Sequence, residues 1–157
     1  MPKLKFLGFD ELEKAFQEDF KSGKVEFGYG EKSGTHPSGK MTYADIAYIS
    51  EWGAHINVFG NDGFIPKRPF FSDVVDNFNI NTREIEHGML VKGVFRTTWV
   101  IDTICENLQL KIKYTILDWE TPPNARLPIR KRGFDNPLVD TGGLAEAAKK
   151  QGDIQFF

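Results

Sequence analysis

The segment Gly34-Thr35-His36-Pro37-Ser38-Gly39-Lys40 sets two glycines and a lysine at the GxxxxGK spacing with which a loop cradles phosphate ahead of a helix. That chemistry also needs a Ser or Thr after the lysine to hold magnesium, and Met41 stands there. Pro37 removes one backbone donor from the cradle. Nucleotide-binding sheets require several parallel strands, and one convincing strand precedes the motif. The segment is read as a Gly/Ser/Lys surface loop, with Lys40 kept as the anchor of an NTP-binding alternative.

A second motif lies near the other end, where Leu138-Val139-Asp140-Thr141-Gly142 resembles the hydrophobic-hydrophobic-Asp-Thr-Gly of retroviral-type aspartic proteases. There two aspartates share one proton across a dimer. Such an enzyme needs strands and a flap after the aspartate, whereas the residues after Gly142 read first as helix. Asp140 is expected to cap that helix or turn, and the glycines to supply positive φ. His36, His55 and His87 fall in a loop, at a helix exit and on a predicted helix, without ligand spacing, so neither a metal nor a cofactor is expected. Arg126, Arg130, Lys131 and Arg132 form the one dense basic run. It is a candidate contact for DNA or an acidic partner, or else a solvated linker.

These motifs sit in 157 residues, of which 40% are hydrophobic and 14 are Phe, one domain's worth of chain with enough apolar mass for a core. Twenty Lys plus Arg against 22 Asp plus Glu give a net charge of −2. A protein with that balance lacks the global basic signature of non-specific nucleic-acid binders, so any DNA contact would be local. The lone Cys105 cannot close an intramolecular disulfide. The N-terminus lacks the apolar stretch of a signal peptide and no eighteen-residue apolar run occurs, so no membrane partner and a reducing cytoplasm are expected.

Asp10 with Glu13 starts a predicted helix carrying Leu12, Phe16 and Phe20, stopped by Gly23. Val25, Phe27 and Tyr29 alternate with Glu26 and Gly28 as a strand with one buried face. Residues 31–41 form a polar loop, a candidate mobile tip. Thr42 with Asp45 caps a helix through Trp52, ended by Gly53. The 54–64 stretch, with Gly60-Asn61-Asp62-Gly63, reads as a hairpin-like excursion.

Pro66 and Pro69 frame a rigid turn, and Pro69 suits the first position of a helix bearing Phe70, Phe71, Val74, Val75 and Phe78. From Thr82 to about Trp119 runs the longest periodic stretch, with Ile101, Ile104, Cys105, Leu108, Ile112 and Ile116 on one face and Gly88 or Gly93 as a break. Residues 118–140 hold Pro122, Pro123, Pro128 and Pro137 and no periodicity, an extended arm. A short Ala-rich helix follows Thr141-Gly142-Gly143-Leu144, and Ile154, Phe156 and Phe157 end the chain as a strand. The predicted fold is a single α+β domain over 1–157. About four helices, one of them long, pack on a small antiparallel sheet made from 25–29, the 54–64 excursion and the C-terminal strand.

Two segments together resemble a group of tailed-bacteriophage proteins that complete the tail or form the neck between head and tail. The first is Tyr43-Ala-Asp-Ile-Ala-Tyr-Ile-Ser-Glu-Trp-Gly53 with Ile65-Pro66-Lys67-Arg68-Pro69-Phe70-Phe71. The second is Pro122-Pro123-Asn124-Ala125, then Lys131-Arg132-Gly133 and Pro137-Leu138-Val139-Asp140-Thr141-Gly142-Gly143-Leu144. The match spans residues 43–144. It departs from the group at Leu127-Pro128-Ile129, where Pro-Ser-Thr is usual, and in the first 40 residues.

The resemblance implies a non-enzymatic virion protein, assembled in the bacterial host cytoplasm as a homo-oligomeric ring at the head-to-tail junction. It would serve as a neck, head-tail connector, tail-terminator or tail-completion subunit that joins or seals the tail. Its partners would be copies of itself and other neck, connector and tail-tube proteins, with DNA passing through the ring. The candidate subunit-interface residues are Ile65, Pro66, Arg68, Pro69, Phe70, Pro122, Pro123, Asn124, Pro137, Leu138, Asp140, Thr141 and Gly142. Preorganised proline segments lose little entropy on docking, so the arm reads as an inter-subunit strap. Arg68 is expected to serve as a hydrogen-bond hub for turn carbonyls. Phe70, Phe71, Phe78, Trp52 and Trp119 are expected to divide between core and interface anchors. The competing class is a small NTP-binding or aspartic-protease-like enzyme working through Lys40 or Asp140.

Overall fold

A computed structural model describes residues 22–58, 60–80, 82–92, 96–123 and 136–156. The helix expected from Asp10, the Gly93 break, Asn124 and the basic run Arg126, Arg130, Lys131 and Arg132 lie outside those residues. The class is α+β: five helices and three antiparallel strand pairs among the described residues. In chain order these are β1 (Gly23–Lys24), β2 (Phe27–Gly28), a 3-10 turn (Glu31–Ser33), α1 (Tyr43–Trp52), β3 (Ala54–Val58) and β4 (Asn61–Ile65). Then follow α2 (Phe70–Asp76), α3 (Thr82–Lys92), the long α4 (Thr97–Leu117), α5 (Gly143–Ala147), β5 (Lys149–Lys150) and β6 (Gln155–Phe156).

Contacts divide the chain into two compact units: residues 1–25, 80–104 and 152–157 in one, 26–79 and 105–151 in the other. In the first, β1 pairs with β6, Gly23 opposite Phe156. Gly88 lies inside α3 and does not break it, because its missing side chain makes room for the Trp99 ring of α4. A Cβ there would sit 2.6 Å from the ring edge. Gly23 likewise lies against Ile101 and Ile154.

The second unit holds the larger core. Ala47 of α1, Phe70 and Val74 of α2, Ile112 and Ile116 of α4, then Leu138, Leu144, Ala145 and Ala148 are buried together, with Phe27, Tyr29, Tyr43 and Trp119 packed around them. Burial of apolar surface at roughly 25 cal/mol per Å² is what holds this cluster. The capping box at Thr42 and Asp45 starts α1: the threonine hydroxyl accepts the Asp45 amide at 3.1 Å and the carboxylate accepts the Thr42 amide at 2.9 Å. The Thr42 hydroxyl also donates to that carboxylate at 2.7 Å, and this bond first, then the Thr42 amide, holds the Asp45 carboxyl below its usual range. Gly53 ends α1 at φ +75.

Three expectations need correction. The hairpin β3–β4 pairs only with itself, while β2 pairs with β5, so no single sheet joins the three. The physical reason is the weak alternation of 54–64, which gives the hairpin no continuous apolar face to bury; His55, Ile56, Asn57, Asp62 and Phe64 are all exposed. Its turn also falls earlier than Gly60–Gly63, since Val58 pairs with Asn61. Gly60 at φ +82, its amide held 2.8 Å from the Asn57 carboxamide oxygen, makes the bend there. Finally, Pro69 is the cap before α2, not its first residue.

Candidate functional site

The stretch Ile65–Phe71 connects the hairpin to α2 and satisfies only part of its backbone internally: the Phe70 amide donates to the Arg68 carbonyl at 2.8 Å, while the Arg68 and Phe71 amides reach α1. Arg68 is buried, at 6% exposure. Its Nε donates to the Pro122 carbonyl at 3.1 Å and its Nη2 to the Pro123 carbonyl at 3.3 Å. A planar guanidinium suits this, since its fork reaches two successive carbonyls of a segment whose prolines bring no N–H of their own. The Arg68 amide in turn donates to Ser50 of α1. Arg68 therefore ties the root of the 118–140 arm to the turn after the hairpin.

The start of α2 is capped from a distance. Pro69 offers no side chain to the first-turn amides, and Glu51 at the end of α1 supplies its carboxylate instead, accepting the Phe71 and Ser72 amides at 3.1 Å each and the Ser72 hydroxyl. A carboxylate at a helix N-terminus also meets the positive end of the helix dipole. Asn136 does the reverse at the end of α4. Its amide nitrogen donates to the Ile116 and Leu117 carbonyls at 3.2 and 2.6 Å, while its oxygen accepts the Leu138 and Val139 amides at 3.0 and 3.1 Å. One side chain thus closes a helix and starts the next turn.

The Gly34–Lys40 loop and the Asp-Thr-Gly segment, remote in sequence, meet across a cavity of about 270 Å³. Met41, Tyr43, Ile46, Leu138 and Leu144 give it apolar walls, and His36, Ser38, Asp140 and Thr141 a polar rim. The loop is held by its own hydrogen bonds: Thr35 bridges Thr42, His36 and Met41 pair, and the Gly39 amide donates to the His36 carbonyl at 2.8 Å. Those amides point at the loop's own acceptors, not outward as a phosphate cradle requires. Gly142 takes φ +78 and Gly143 lies so close to the Tyr43 hydroxyl that any side chain there would displace it. Asp140 does not cap α5. The Thr141 hydroxyl accepts the Gly143 amide at 3.4 Å, and the Asp140 carboxylate faces His36 Nε2 at 3.5 Å.

His36 is therefore flanked by Asp140 on one ring nitrogen and by Ser38 on the other, at 2.9 Å. The order serine, histidine, carboxylate is that of a nucleophilic triad. Here, however, the Ser38 amide also donates to the same Nδ1, at 3.2 Å, so that nitrogen is shared within one tight turn. The arrangement serves to pin the loop to the 138–142 turn. Among the described residues no three His, Cys, Asp or Glu gather as a metal site, and no helix is long and apolar enough to cross a membrane.

The candidate interface residues sort by exposure. Arg68, Phe70 and Leu138 are buried within the chain, so their bonding surface is already spent on it. Ile65, Pro66, Pro122, Pro137 and Gly142 are half-buried; Pro69, Pro123, Asp140 and Thr141 are exposed. Of the aromatic residues, Phe70 is fully buried, Phe71, Phe78 and Trp119 are half-buried and Trp52 is 66% exposed. Sequence reasoning passed over Glu51 and Asn136, and placed Tyr29 only on the buried face of a strand. The Tyr29 hydroxyl donates to the Leu144 carbonyl at 2.9 Å, its ring meets Phe70 and Phe71 edge-on, and burial pushes its ionisation far above the ordinary phenol range. No signal short of the fold itself points to that 115-residue pairing.

No family model matches the chain, and no characterised protein or solved structure is detectably similar to it.

Proposed function

We propose that this chain is a non-enzymatic virion subunit that assembles into a ring at the head-to-tail junction of a tailed bacteriophage, as a neck, tail-terminator or tail-completion protein. The observation that carries the reading is how the stretches of resemblance hold one another. Glu51, in the first, caps the helix that begins at Phe70. Arg68, in the Ile-Pro-Lys-Arg-Pro-Phe turn, holds the carbonyls of Pro122 and Pro123. Leu138 and Leu144, from the Pro-Leu-Val-Asp-Thr-Gly-Gly-Leu segment, lie in the same core as Phe70. Residues that look like a signature in sequence are thus joined in one structural unit, and what they build is packing and hydrogen bonding.

Such a subunit works by shape: it meets further copies of itself, connector and tail-tube proteins, and surrounds passing DNA. Native mass and negative-stain images of the purified chain over a range of concentrations test this. Closed rings of one size are expected. A monomer that hydrolyses a nucleotide or a peptide, and loses that turnover in Lys40→Ala or Asp140→Asn, would overturn the reading.

A further inference from the structure

The tip of the loop between the 3-10 turn and α1 is a β-turn running from His36 to Gly39. Pro37 follows His36, where its fixed φ suits such a turn, and the Gly39 amide closes the turn on the His36 carbonyl at 2.8 Å. The amide of the third residue has no main-chain partner inside a turn of this kind. Here it belongs to Ser38, and it donates to Nδ1 of His36 at 3.2 Å, as it would to an Asn or Asp side chain in the same place. An N–H can donate only to a ring nitrogen that carries no proton, so this bond assigns the single proton of the neutral imidazole to Nε2. Nε2 faces the Asp140 carboxylate at 3.5 Å, and the Ser38 hydroxyl lies 2.9 Å from Nδ1.

Histidine is the side chain whose charge changes near neutral pH, and here that change inverts one of its two contacts and keeps the other. A second proton on the ring must go to Nδ1, which then points one donor at another, the Ser38 amide. Nε2–H still meets Asp140, now as a cation beside an anion. The Ser38 hydroxyl can turn from donor to acceptor and tolerates both states; the Ser38 amide cannot. We infer that protonation of His36 releases the Ser38 amide while the ring stays at Asp140, so that the loop tip at 37–39 changes shape between mildly alkaline and mildly acidic solution. Ser38 and His36 both line the cavity under the loop, so its rim changes with them. Release costs little, because Ser38 is exposed and water takes up its amide. The ring itself is half-buried and stands edge-on to Tyr43, centres 5.9 Å apart. Among the described residues lining the cavity from α1, the 138–141 turn and α5, Tyr43 and Asp140 are the titratable ones. Lys40 lies on the same loop, and Glu31 and Lys32 on the 3-10 turn before it, all three exposed.

The switch belongs to this loop and does not depend on ring assembly. TROSY NMR of the full chain, labelled with 15N and 13C and titrated from about pH 5 to 8, tests it. At the alkaline end the His36 ring is expected to show Nδ1 as its unprotonated nitrogen. The Ser38 amide resonance is expected to move with the midpoint of the His36 ring. Its hydrogen-exchange protection, corrected for the intrinsic pH dependence of exchange, should fall about five- to tenfold on the acid side. His36→Ala should leave the Ser38 amide unprotected at every pH, and Asp140→Asn should keep its response, since the ring proton and not the carboxylate drives it. A Ser38 amide that ignores the His36 titration, a neutral ring with its proton on Nδ1, or a response that survives in His36→Ala would each overturn the switch. Loss of the response in Asp140→Asn would assign it to the carboxylate and overturn the switch as well. Should either variant fail to fold, the titration of the parent chain decides alone, because it reads the ring and the amide in one sample.

Discussion

Between Tyr48 and Phe71 the chain uses its aromatic side chains in two opposite ways. Phe70 is sealed in the core under Tyr29, beside the Arg68 clamp. Tyr48, Trp52 and Phe64, only a few residues earlier, face outward on α1 and the hairpin. The surroundings differ: carbonyls, caps and other apolar side chains enclose the first ring, while solvent borders the other three. The inner ring is therefore expected to determine stability and the outer set to contribute little to it.

Phe70→Ala is the strongest way to break that contrast. Removing a fully buried ring is expected to cost about 3–5 kcal/mol, read as a lowered urea midpoint, and a cost near zero would mean that the core does not depend on this residue. Arg68→Ala comes next, at about 2 kcal/mol, because the half-buried Pro122 and exposed Pro123 carbonyls lose a charged donor and the core loses a buried side chain. Thermal melting checks it, and an unchanged midpoint would reduce the clamp to a bystander.

Tyr29→Phe should cost about 1 kcal/mol by stranding the Leu144 carbonyl. It carries a pH signature as well. The unfolded phenol ionises near its ordinary value of 10.0, while burial keeps the folded one protonated well beyond that. The unfolded state therefore holds fewer protons above that pH, and the stability present below it is lost as pH rises toward the folded value. Urea titrations at mildly and strongly alkaline pH should show a smaller loss in Tyr29→Phe than in the parent. Smallest of all is Trp52→Ser, within ~0.5 kcal/mol of the parent. A larger destabilisation would place Trp52 with the inner set and erase the contrast.

How far these differences can be read from sequence depends on distance along the chain. The Thr42–Asp45 capping box, Gly53 as a stop, the apolar face of α4 and the short helix after Gly142 are local patterns, and local patterns are visible without the fold. The hydrogen-bonding role of Arg68 was also legible, because a guanidinium can satisfy several carbonyls of tight turns. Which carbonyls it reaches was not. Glu51 capping a helix 20 residues on, and Tyr29 bonding Leu144, are pairings that propensity and spacing do not encode. The same holds for His36: it has no partner at ligand spacing in sequence, yet it meets Asp140 once the loop folds over. The sheet was misread for a related reason, since strands of two residues, paired across most of the chain, leave almost no periodic trace.

Those short pairings bear on the order in which the molecule folds. Phe27 pairs with Lys150 and Gly28 with Lys149, and Gly23 with Phe156, so residues near one end wait for partners near the other. Loop-closure entropy grows only slowly with separation, but such contacts reward the chain late, after local helices have formed. During synthesis, α1, α2 and α4 can all be made while β1 and β2 still present unpaired amides and carbonyls. Closure of these two edges waits for residues 149–156, and until they arrive the nascent chain carries an open strand edge that other chains can find.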